Sequence, residues 1–217
     1  MTVIQIGSFA MLTKWFNLGI SIFLSLILIW FWLTFYKKDL RKVIFDIISG
    51  NVILGLFIWK ASLTIFEPKL IIDSPLSLLY FTGGSKGLVI AILFVYIITF
   101  FQLRKKVISI SEILFIAITC SFATVGLYNV MSGLLLIVNN LYHLLLGFTA
   151  LFILGWLLLR WRTISIKNIF TTLIIFSFYQ MIIALMTGRG FLIIENGFSI
   201  GVIIVSLFLW DRDDEME

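Results

Sequence analysis

Seven long apolar stretches, separated by short polar loops, are the feature that most constrains how this chain can fold. A hydrocarbon core of ~30 Å needs ~20 predominantly apolar residues in one helix. The stretches that meet this length cover residues 18–36, 45–66, 75–103, 111–138, 141–159, 168–187 and 191–210. The sequence therefore predicts an all-α integral membrane protein, a seven-transmembrane helical bundle that forms a single domain over residues 1–217.

The distribution of Lys and Arg among the loops predicts the orientation of this bundle. The basic residues that follow the first, third, fifth and seventh spans are Lys37, Lys38, Arg41, Lys42, Arg104, Lys105, Lys106, Arg160, Arg162, Lys167 and Arg212. The loops on the other side contain only Lys14, Lys69 and Arg189. Because basic loop residues favour the cytoplasmic side of a membrane, we expect the N-terminus outside and the C-terminus in the cytoplasm.

Composition argues against a soluble domain and against a nucleic-acid partner, although the net charge is +5. The chain is 61% hydrophobic and only 12% charged, whereas soluble domains contain about 25% charged residues. In a membrane protein, basic loop residues face anionic lipid instead. The single cysteine, Cys120, can form neither an intramolecular disulfide nor a cysteine-based metal site. We predict no metal and no cofactor.

Several polar side chains fall within or beside the spans, at positions from which lipid would exclude them. An ionisable group inside a span costs about 2.5–3.5 kcal/mol on the insertion scale, so such groups usually face protein or a water-filled cavity. The predicted topology places this set in the outer half of the bundle. The candidates for binding a lipid headgroup or another anion are Lys60, Lys86, Asn129, His143, Gln180 and Arg189. We predict that they line one cavity open to the outside.

The same residues could instead be accommodated one by one, without a shared cavity. Lys60 and Lys86 can extend their apolar stems so that their ammonium groups reach the outer headgroups. His143 can lie at the membrane surface, and Gln180 can pair with a neighbouring backbone group. Sequence alone does not decide between these two interpretations.

Local signals predict how particular helices begin and pack. Ser109 and Glu112 have the spacing of a capping box at the start of the fourth span, so Glu112 is predicted to be a cap rather than a site residue. The patterns Gly83-x-x-x-Gly87 and Gly197-x-x-x-Gly201 would permit close approach of neighbouring helices.

A series of short motifs occurs in a fixed order along nearly the whole chain. These motifs are Ile6-Gly7 and Lys14-Trp15-Phe16, Leu54-Gly55 and Lys60 through Phe66, Asp73-Ser74-Pro75-Leu76 and Phe81-Thr82-Gly83-Gly84, Asn140-Leu141-Tyr142-His143, and Phe198-Ser199-Ile200-Gly201. In this order they resemble the motifs of the bacterial prolipoprotein diacylglyceryl transferases, seven-span proteins with the N-terminus outside. The resemblance implies the fold of that family and a location in the bacterial cytoplasmic membrane.

The motifs that depart from the family are those that carry its chemistry. Family members transfer a diacylglyceryl group from phosphatidylglycerol to a lipoprotein cysteine, which requires cations for the phosphate and an acceptor for the thiol proton. Ser85-Lys86-Gly87 stands where the family has His-Gly-Gly, and Gly126 stands where it has an essential arginine. A second family arginine falls near Gln180. Because lysine does not reproduce the bidentate geometry of arginine, the resemblance implies a shared fold with a degenerate site.

Three classes of function remain open. We predict a catalytically inactive protein, a pseudoenzyme, that binds a phospholipid such as phosphatidylglycerol, binds a lipoprotein, or serves as the membrane subunit of an extracytoplasmic partner. The alternative is an enzyme that still transfers diacylglyceryl from phosphatidylglycerol, with the remaining cations and His143 replacing the lost residues. We assign no catalytic residue. A small transporter or channel is less supported, because no span is broken by proline and no inverted repeat is found.

Overall fold

A computed structural model describes residues 3–6, 9–36, 38–74, 83–106, 108–135, 140–160, 165–188 and 194–211. In this part of the chain, two strands precede a series of helices. The strands are β1 (Val3–Ile6) and β2 (Phe9–Leu12), which pair antiparallel. The helices are α1 (Thr13–Tyr36), α2 (Arg41–Ala61), α3 (Leu63–Phe66), α4 (Pro68–Asp73), α5 (Gly84–Arg104), α6 (Ile110–Leu135), α7 (Asn140–Arg160), α8 (Ile166–Met186) and α9 (Ile194–Asp211).

Six helical segments among the described residues are long and apolar enough to cross a membrane. They are Thr13–Tyr36, Arg41–Phe66, Gly84–Arg104, Ile110–Leu135, Leu141–Arg160 and Ile166–Met186. Large apolar side chains on them, such as Phe57, Phe152 and Leu159, are exposed, as expected where a helix faces lipid. The prediction of a helical, multi-pass membrane protein is therefore confirmed. The seventh predicted span coincides with α9, which is not among the six, so the count of seven stays a prediction.

The helix ends can be compared with the predicted spans and with the predicted cap. The second span was predicted to end at residue 66, and the apolar segment Arg41–Phe66 ends there, although Ser62 separates α2 from the short α3 within it. The third was predicted to begin at residue 75; residues 75–82 lie outside the described residues, and α5 begins at Gly84. The predicted capping box is confirmed, because Ser109 Oγ accepts from the Glu112 N–H and Glu112 Oε2 accepts from the Ser109 N–H, both at 3.3 Å.

The described residues divide into two compact units, Met1–Trp32 with Phe115–Glu217 (unit 1) and Leu33–Leu114 (unit 2). In unit 2, the helices α2 and α5 pack closely along their length. The Trp59 Nε1–H donates to the Gly84 carbonyl at 2.8 Å, while Asn51 Nδ2 donates to Thr99 Oγ1 at 2.9 Å. These contacts require an antiparallel pair, in which the last turn of α2 lies beside the first turn of α5.

Glycines set the closeness of this pair. A Cβ at Gly83 or Gly87 would overlap the Ser62 hydroxyl, and a Cβ at Gly55 would lie 2.6 Å from Val95 Cγ2. Glycine also suits the start of α5 because Gly84 has a φ of 61°. The close approach predicted at Gly83 and Gly87 is therefore confirmed.

In unit 1, the helices α6 and α7 form an equally close antiparallel pair. A Cβ at Gly126 would lie 2.7 Å from Leu151 Cδ2, and one at Gly133 would lie 2.7 Å from Leu144 Cγ. From the other side, a Cβ at Gly147 would lie 2.6 Å from the Val130 backbone nitrogen. Gly126 and Gly133 are seven residues apart, two helical turns, so both face α7.

The helices α8 and α9 also pack against each other, but not through the predicted glycines. A Cβ at Gly197 or Gly201 would meet no atom within 4 Å. The close approach predicted at these two glycines is wrong, because both face open space in the described part of the chain. The small buried residues of α9 are instead Ser199 and Ser206, again seven residues apart.

Apolar side chains join α6 to its other neighbours in unit 1. Phe122 of α6 meets Phe176 of α8 edge to face, with ring centroids 5.0 Å apart. Trp32 of α1 lies 5.5 Å from Phe115 of α6, between ring centroids. Together with the glycine contacts to α7, these packings place α6 among α1, α7 and α8.

The predicted orientation can be tested by cysteine accessibility in a Cys120→Ala background. Lys38 and Glu67 are both exposed, and the charge distribution predicts them on opposite sides of the membrane. We expect an impermeant maleimide added to intact cells to label Glu67→Cys and to leave Lys38→Cys unlabelled until the membrane is permeabilised. The reverse labelling pattern would show that the true orientation is opposite to the predicted one.

Candidate functional site

The structure distributes the predicted site residues between the two units. Unit 2 contains Lys60 and Lys86; unit 1 contains Asn129, His143 and Gln180; Arg189 lies outside the described residues. The prediction that all of them line one outward-facing cavity stays a prediction. The surroundings of the five described residues are set by the packing of the helices within each unit.

Lys60 and Lys86 lie at the same end of the α2–α5 pair. Lys60 is half-buried in the last turn of α2, and Lys86 is exposed in the first turn of α5. Lys86 was predicted well inside a span that begins at residue 75. Because α5 begins at Gly84, its ammonium group is only one turn from the helix end, where water or headgroups can solvate it.

Polar side chains of α1, α6 and α7 collect at one end of unit 1. We call Asn17, Ser21, Asn129, Ser132 and His143 the polar cluster. Thr124 Oγ1 donates to Ser25 Oγ at 3.1 Å, and Ser21 Oγ lies 3.7 Å from Met131 Sδ. The two contacts make α1 and α6 antiparallel, so the first turns of α1 lie beside the last turns of α6. The tight α6–α7 pair brings the first turn of α7 to the same end.

Within the polar cluster, Asn129 and His143 form a hydrogen bond that fixes the tautomer of the imidazole. Asn129 Nδ2 donates to the Val125 carbonyl at 2.9 Å, so its Oδ1 is the atom 2.8 Å from His143 Nδ1. Because an amide oxygen only accepts, Nδ1 carries the proton, and a neutral His143 keeps its lone pair on Nε2. Asn129 is buried and His143 is half-buried. The imidazole can therefore accept a hydrogen bond or a proton at Nε2.

Two members of the polar cluster have buried polar atoms without a hydrogen-bond partner among the described residues. These atoms are Nδ2 and Oδ1 of Asn17 and the hydroxyl oxygen of Ser132. Both side chains have an exposure of 0%. An unsatisfied buried polar group costs about 1–3 kcal/mol, and the large majority of buried polar groups have a partner. The fully buried Asn17 amide is thus the strongest candidate among the described residues for contact with a ligand or an ordered water.

Sequence analysis missed Asn17, although a signal was present. Asn17, Ser21 and Ser25 are four residues apart, which places three polar side chains on one face of α1. In a helix surrounded by lipid, this face must be directed toward protein. All three residues are indeed buried.

Gln180 lies in unit 1, but farther from the ends of the helices than the polar cluster does. The Thr149 hydroxyl donates to the Leu145 carbonyl and accepts from the Tyr179 hydroxyl at 2.8 Å, which sets this part of α8 level with Thr149 of α7. Thr149 is about 9 Å along α7 from His143. Gln180 is half-buried next to this contact. No described contact brings its amide to the cluster.

The polar cluster contains amide, hydroxyl and imidazole groups and no cation. Asn17 Nδ2 and the Ser132 hydroxyl can donate, while Asn17 Oδ1 and His143 Nε2 can accept. Such a set matches ester carbonyls, glycerol hydroxyls or a peptide backbone better than a bare phosphate, which favours arginine. Among the described residues, no group of three or more His, Cys, Asp or Glu side chains could hold a metal ion.

No family model, curated protein or solved structure matches this chain. The resemblance to the prolipoprotein diacylglyceryl transferases therefore stays a prediction from the motifs. The described residues form a helical, multi-pass membrane protein. In unit 1 it has a polar cluster in which Asn17 and Ser132 have buried polar atoms without a hydrogen-bond partner.

Proposed function

We propose that this protein is a catalytically inactive member of the prolipoprotein diacylglyceryl transferase fold that binds a diacylglyceryl group in the outer half of the membrane. The group can be carried by a phospholipid, with phosphatidylglycerol as the candidate, or by a lipoprotein held as a partner. The observation that carries the proposal is the Asn17 amide, which is fully buried with both polar atoms unpaired.

The chemistry of the polar cluster supports an ester-bearing ligand. Desolvation without a partner costs about 1–3 kcal/mol for each such group, so a ligand that pairs with Asn17 and Ser132 regains this free energy on binding. An ester carbonyl accepts from Asn17 Nδ2, and a glycerol hydroxyl donates to Oδ1. The surrounding helices present apolar side chains, which suit the attached acyl chains.

The packing of Gly126 supports the absence of transferase activity. This glycine stands where the resembling family has an essential arginine, and it lies at the α6–α7 contact, with Leu151 Cγ 2.9 Å from the position of a Cβ. A side chain there requires that the two helices separate. The chain therefore combines the loss of the phosphate-binding arginine with a helix contact that depends on glycine.

The Asn129–His143 hydrogen bond favours the alternative function, a transferase with a substituted site. With Nδ1 protonated, His143 Nε2 can take the proton of a cysteine thiol, which is the general-base step such a reaction needs. The phosphate would then depend on cations other than the two arginines of the resembling family. Detection of diacylglyceryl transfer to a lipobox peptide by the purified protein would favour this alternative.

The substitution Asn17→Leu tests the proposed site. We expect the lipid-free protein in detergent to gain about 1–3 kcal/mol of stability, because a side chain of similar size removes two unsatisfied buried atoms. We also expect the variant to lose photolabelling by a diazirine-bearing phosphatidylglycerol. The measurements are the thermal midpoint in detergent and the labelled fraction by mass spectrometry.

Ser25→Ala is the matched control, since Ser25 lies on the same face of α1 and is already paired with the Ile22 carbonyl and Thr124. It should lose some stability and keep the label. If Asn17→Leu lowers the midpoint and keeps the label, the site is wrong. If it raises the midpoint but the wild type takes up no label, the amide binds only water.

A further inference from the structure

An open cleft lies at the end of the α2–α5 pair opposite Lys60 and Lys86. It has a volume of about 520 Å³, and its polar lining is Asp46, Asn51, Gln102, Lys105 and Lys106. All of these residues belong to unit 2. The charge distribution predicts this end to be cytoplasmic. The polar cluster belongs to unit 1, so an inference from this cleft is independent of the function proposed for the cluster.

The floor of the cleft is held by an amide network. Asn51 is 4% exposed, and its Nδ2 donates to Thr99 Oγ1 and to Gln102 Oε1, both at 2.9 Å. Because Oε1 of Gln102 faces Asn51, its Nε2 hydrogens are directed away from that contact. The exposed Gln102 amide therefore offers donors to a group bound in the cleft.

Charges of both signs line the cleft without neutralising one another. The Asp46 carboxylate belongs to α2, and the ammonium groups of Lys105 and Lys106 follow the end of α5. None of the three is in an ion pair within the described part of the chain. A cleft that keeps a carboxylate and two ammonium groups apart matches a ligand that carries both charges.

A second cleft, of about 690 Å³, adjoins the first and shares Lys105 with it. Its lining is Phe101, Arg104, Lys105, Ile108 and Ser109, of which Phe101 is an apolar side chain 61% exposed, whereas Ile108 is buried. Both clefts lie at the ends of the apolar helices α2 and α5, where a bilayer spanned by these helices would have its phospholipid headgroups. A lipid can therefore place its headgroup among these charges and an acyl chain against Phe101, which a small soluble ligand does not need.

We propose that this cleft binds the headgroup of a zwitterionic phospholipid with a primary amine, such as phosphatidylethanolamine. The phosphate lies beside Lys105 and Lys106 and accepts from Gln102 Nε2, and the ammonium donates to the Asp46 carboxylate. A purely anionic headgroup leaves Asp46 unpaired and is repelled by it. A choline headgroup has no N–H to donate, which costs it the charge-assisted hydrogen bond to Asp46.

Headgroup selectivity of the full-length wild-type protein is the first test and needs no variant. Native mass spectrometry of the detergent-solubilised protein measures binding of phosphatidylethanolamine, phosphatidylglycerol and phosphatidylcholine with identical acyl chains. Free phosphoethanolamine serves as the soluble competitor. We expect phosphatidylethanolamine to bind most tightly and the free headgroup to compete weakly. Equal binding of the three lipids would overturn the proposal, as would competition by free phosphoethanolamine at the concentration of the lipid.

Two variants with substitutions at exposed residues then test the two halves of the headgroup site separately. Asp46→Asn should weaken the binding of phosphatidylethanolamine about tenfold, which is the equivalent of one charge-assisted hydrogen bond. It should also shift the binding preference toward phosphatidylglycerol. The double variant Lys105→Gln, Lys106→Gln should weaken the binding of all three phospholipids.

The matched controls are Asp39→Asn and Lys42→Gln, which change exposed charges of the same types outside the cleft and should leave the preference unchanged. Unchanged selectivity in Asp46→Asn, or an equal shift in Asp39→Asn, would contradict the assignment. Size-exclusion profiles confirm that each variant is folded.

Discussion

Gly147→Ala is expected to destabilise the protein strongly, although it adds only one methyl group. That methyl would lie 2.6 Å from the backbone nitrogen of Val130 and 3.1 Å from the backbone carbon of Asn129. A helix backbone cannot rotate away as a side chain can, so α6 and α7 would have to separate. Overpacking of this kind costs about 1–3 kcal/mol or more. The displacement would also disturb the Asn129–His143 hydrogen bond.

Gly155→Ala, on the same helix, provides the control with the opposite expected sign. A Cβ at Gly155 meets nothing within 4 Å among the described residues. Alanine in a helix interior is favoured over glycine by roughly 0.5–1 kcal/mol, so this variant should be slightly more stable than the wild type. Thermal midpoints in one detergent, together with the yield of monodisperse protein, measure both effects. Equal shifts in the two variants would mean that Gly147 is not at a close helix contact.

The helical spans could be predicted from the sequence because being apolar over a membrane thickness is a local property. The predicted spans 111–138, 141–159 and 168–187 correspond closely to α6, α7 and α8. The hairpin of β1 and β2 was not predicted. Its signal, Gly7-Ser8 between two short apolar runs, is typical of a two-residue hairpin turn.

The helix contacts were predictable only where one short motif contains the whole signal. Gly83 and Gly87 were identified correctly because both approach Ser62, the first from just before α5 and the second from its first turn. Gly126 and Gly133 are seven residues apart. Whether they lie at a helix contact depends on the register of α7, which cannot be predicted from the spacing of the glycines. Gly197 and Gly201 have the right spacing, but α9 turns another face toward protein.

The positions of the candidate residues depend on helix pairing in a similar way. Asn129 and His143 are close in sequence across the turn between two spans, so their shared location followed from topology. Asn17 belongs to α1, more than a hundred residues away, and only the pairing of α1 with α6 brings it to the same end. Lys60 and Lys86 lie at the same end of the α2–α5 pair, because these helices are antiparallel neighbours.

Introducing the two arginines of the family that the motifs resemble is not expected to confer transferase activity. The wild type should not rescue a strain depleted of its own prolipoprotein diacylglyceryl transferase, and Gly126→Arg with Gln180→Arg should not rescue it either. Gly126 is buried against Leu151, whose backbone nitrogen lies 3.3 Å from the position of a Cβ. An arginine there must force α6 from α7, and an intramembrane guanidinium adds about 2.5–3.5 kcal/mol on the insertion scale.

The single variants distinguish loss of folding from loss of chemistry. Gln180 is half-buried beside the Thr149–Tyr179 contact, so Gln180→Arg should accumulate as folded protein, whereas Gly126→Arg should not. The measurements are membrane yield, size-exclusion profile and lipoprotein modification in the depleted strain. Rescue by the wild type would favour the enzymatic alternative, with His143 and the remaining lysines sufficient for catalysis. Rescue by the double variant alone would show that the α6–α7 contact can open and that the two arginines are sufficient to confer the activity.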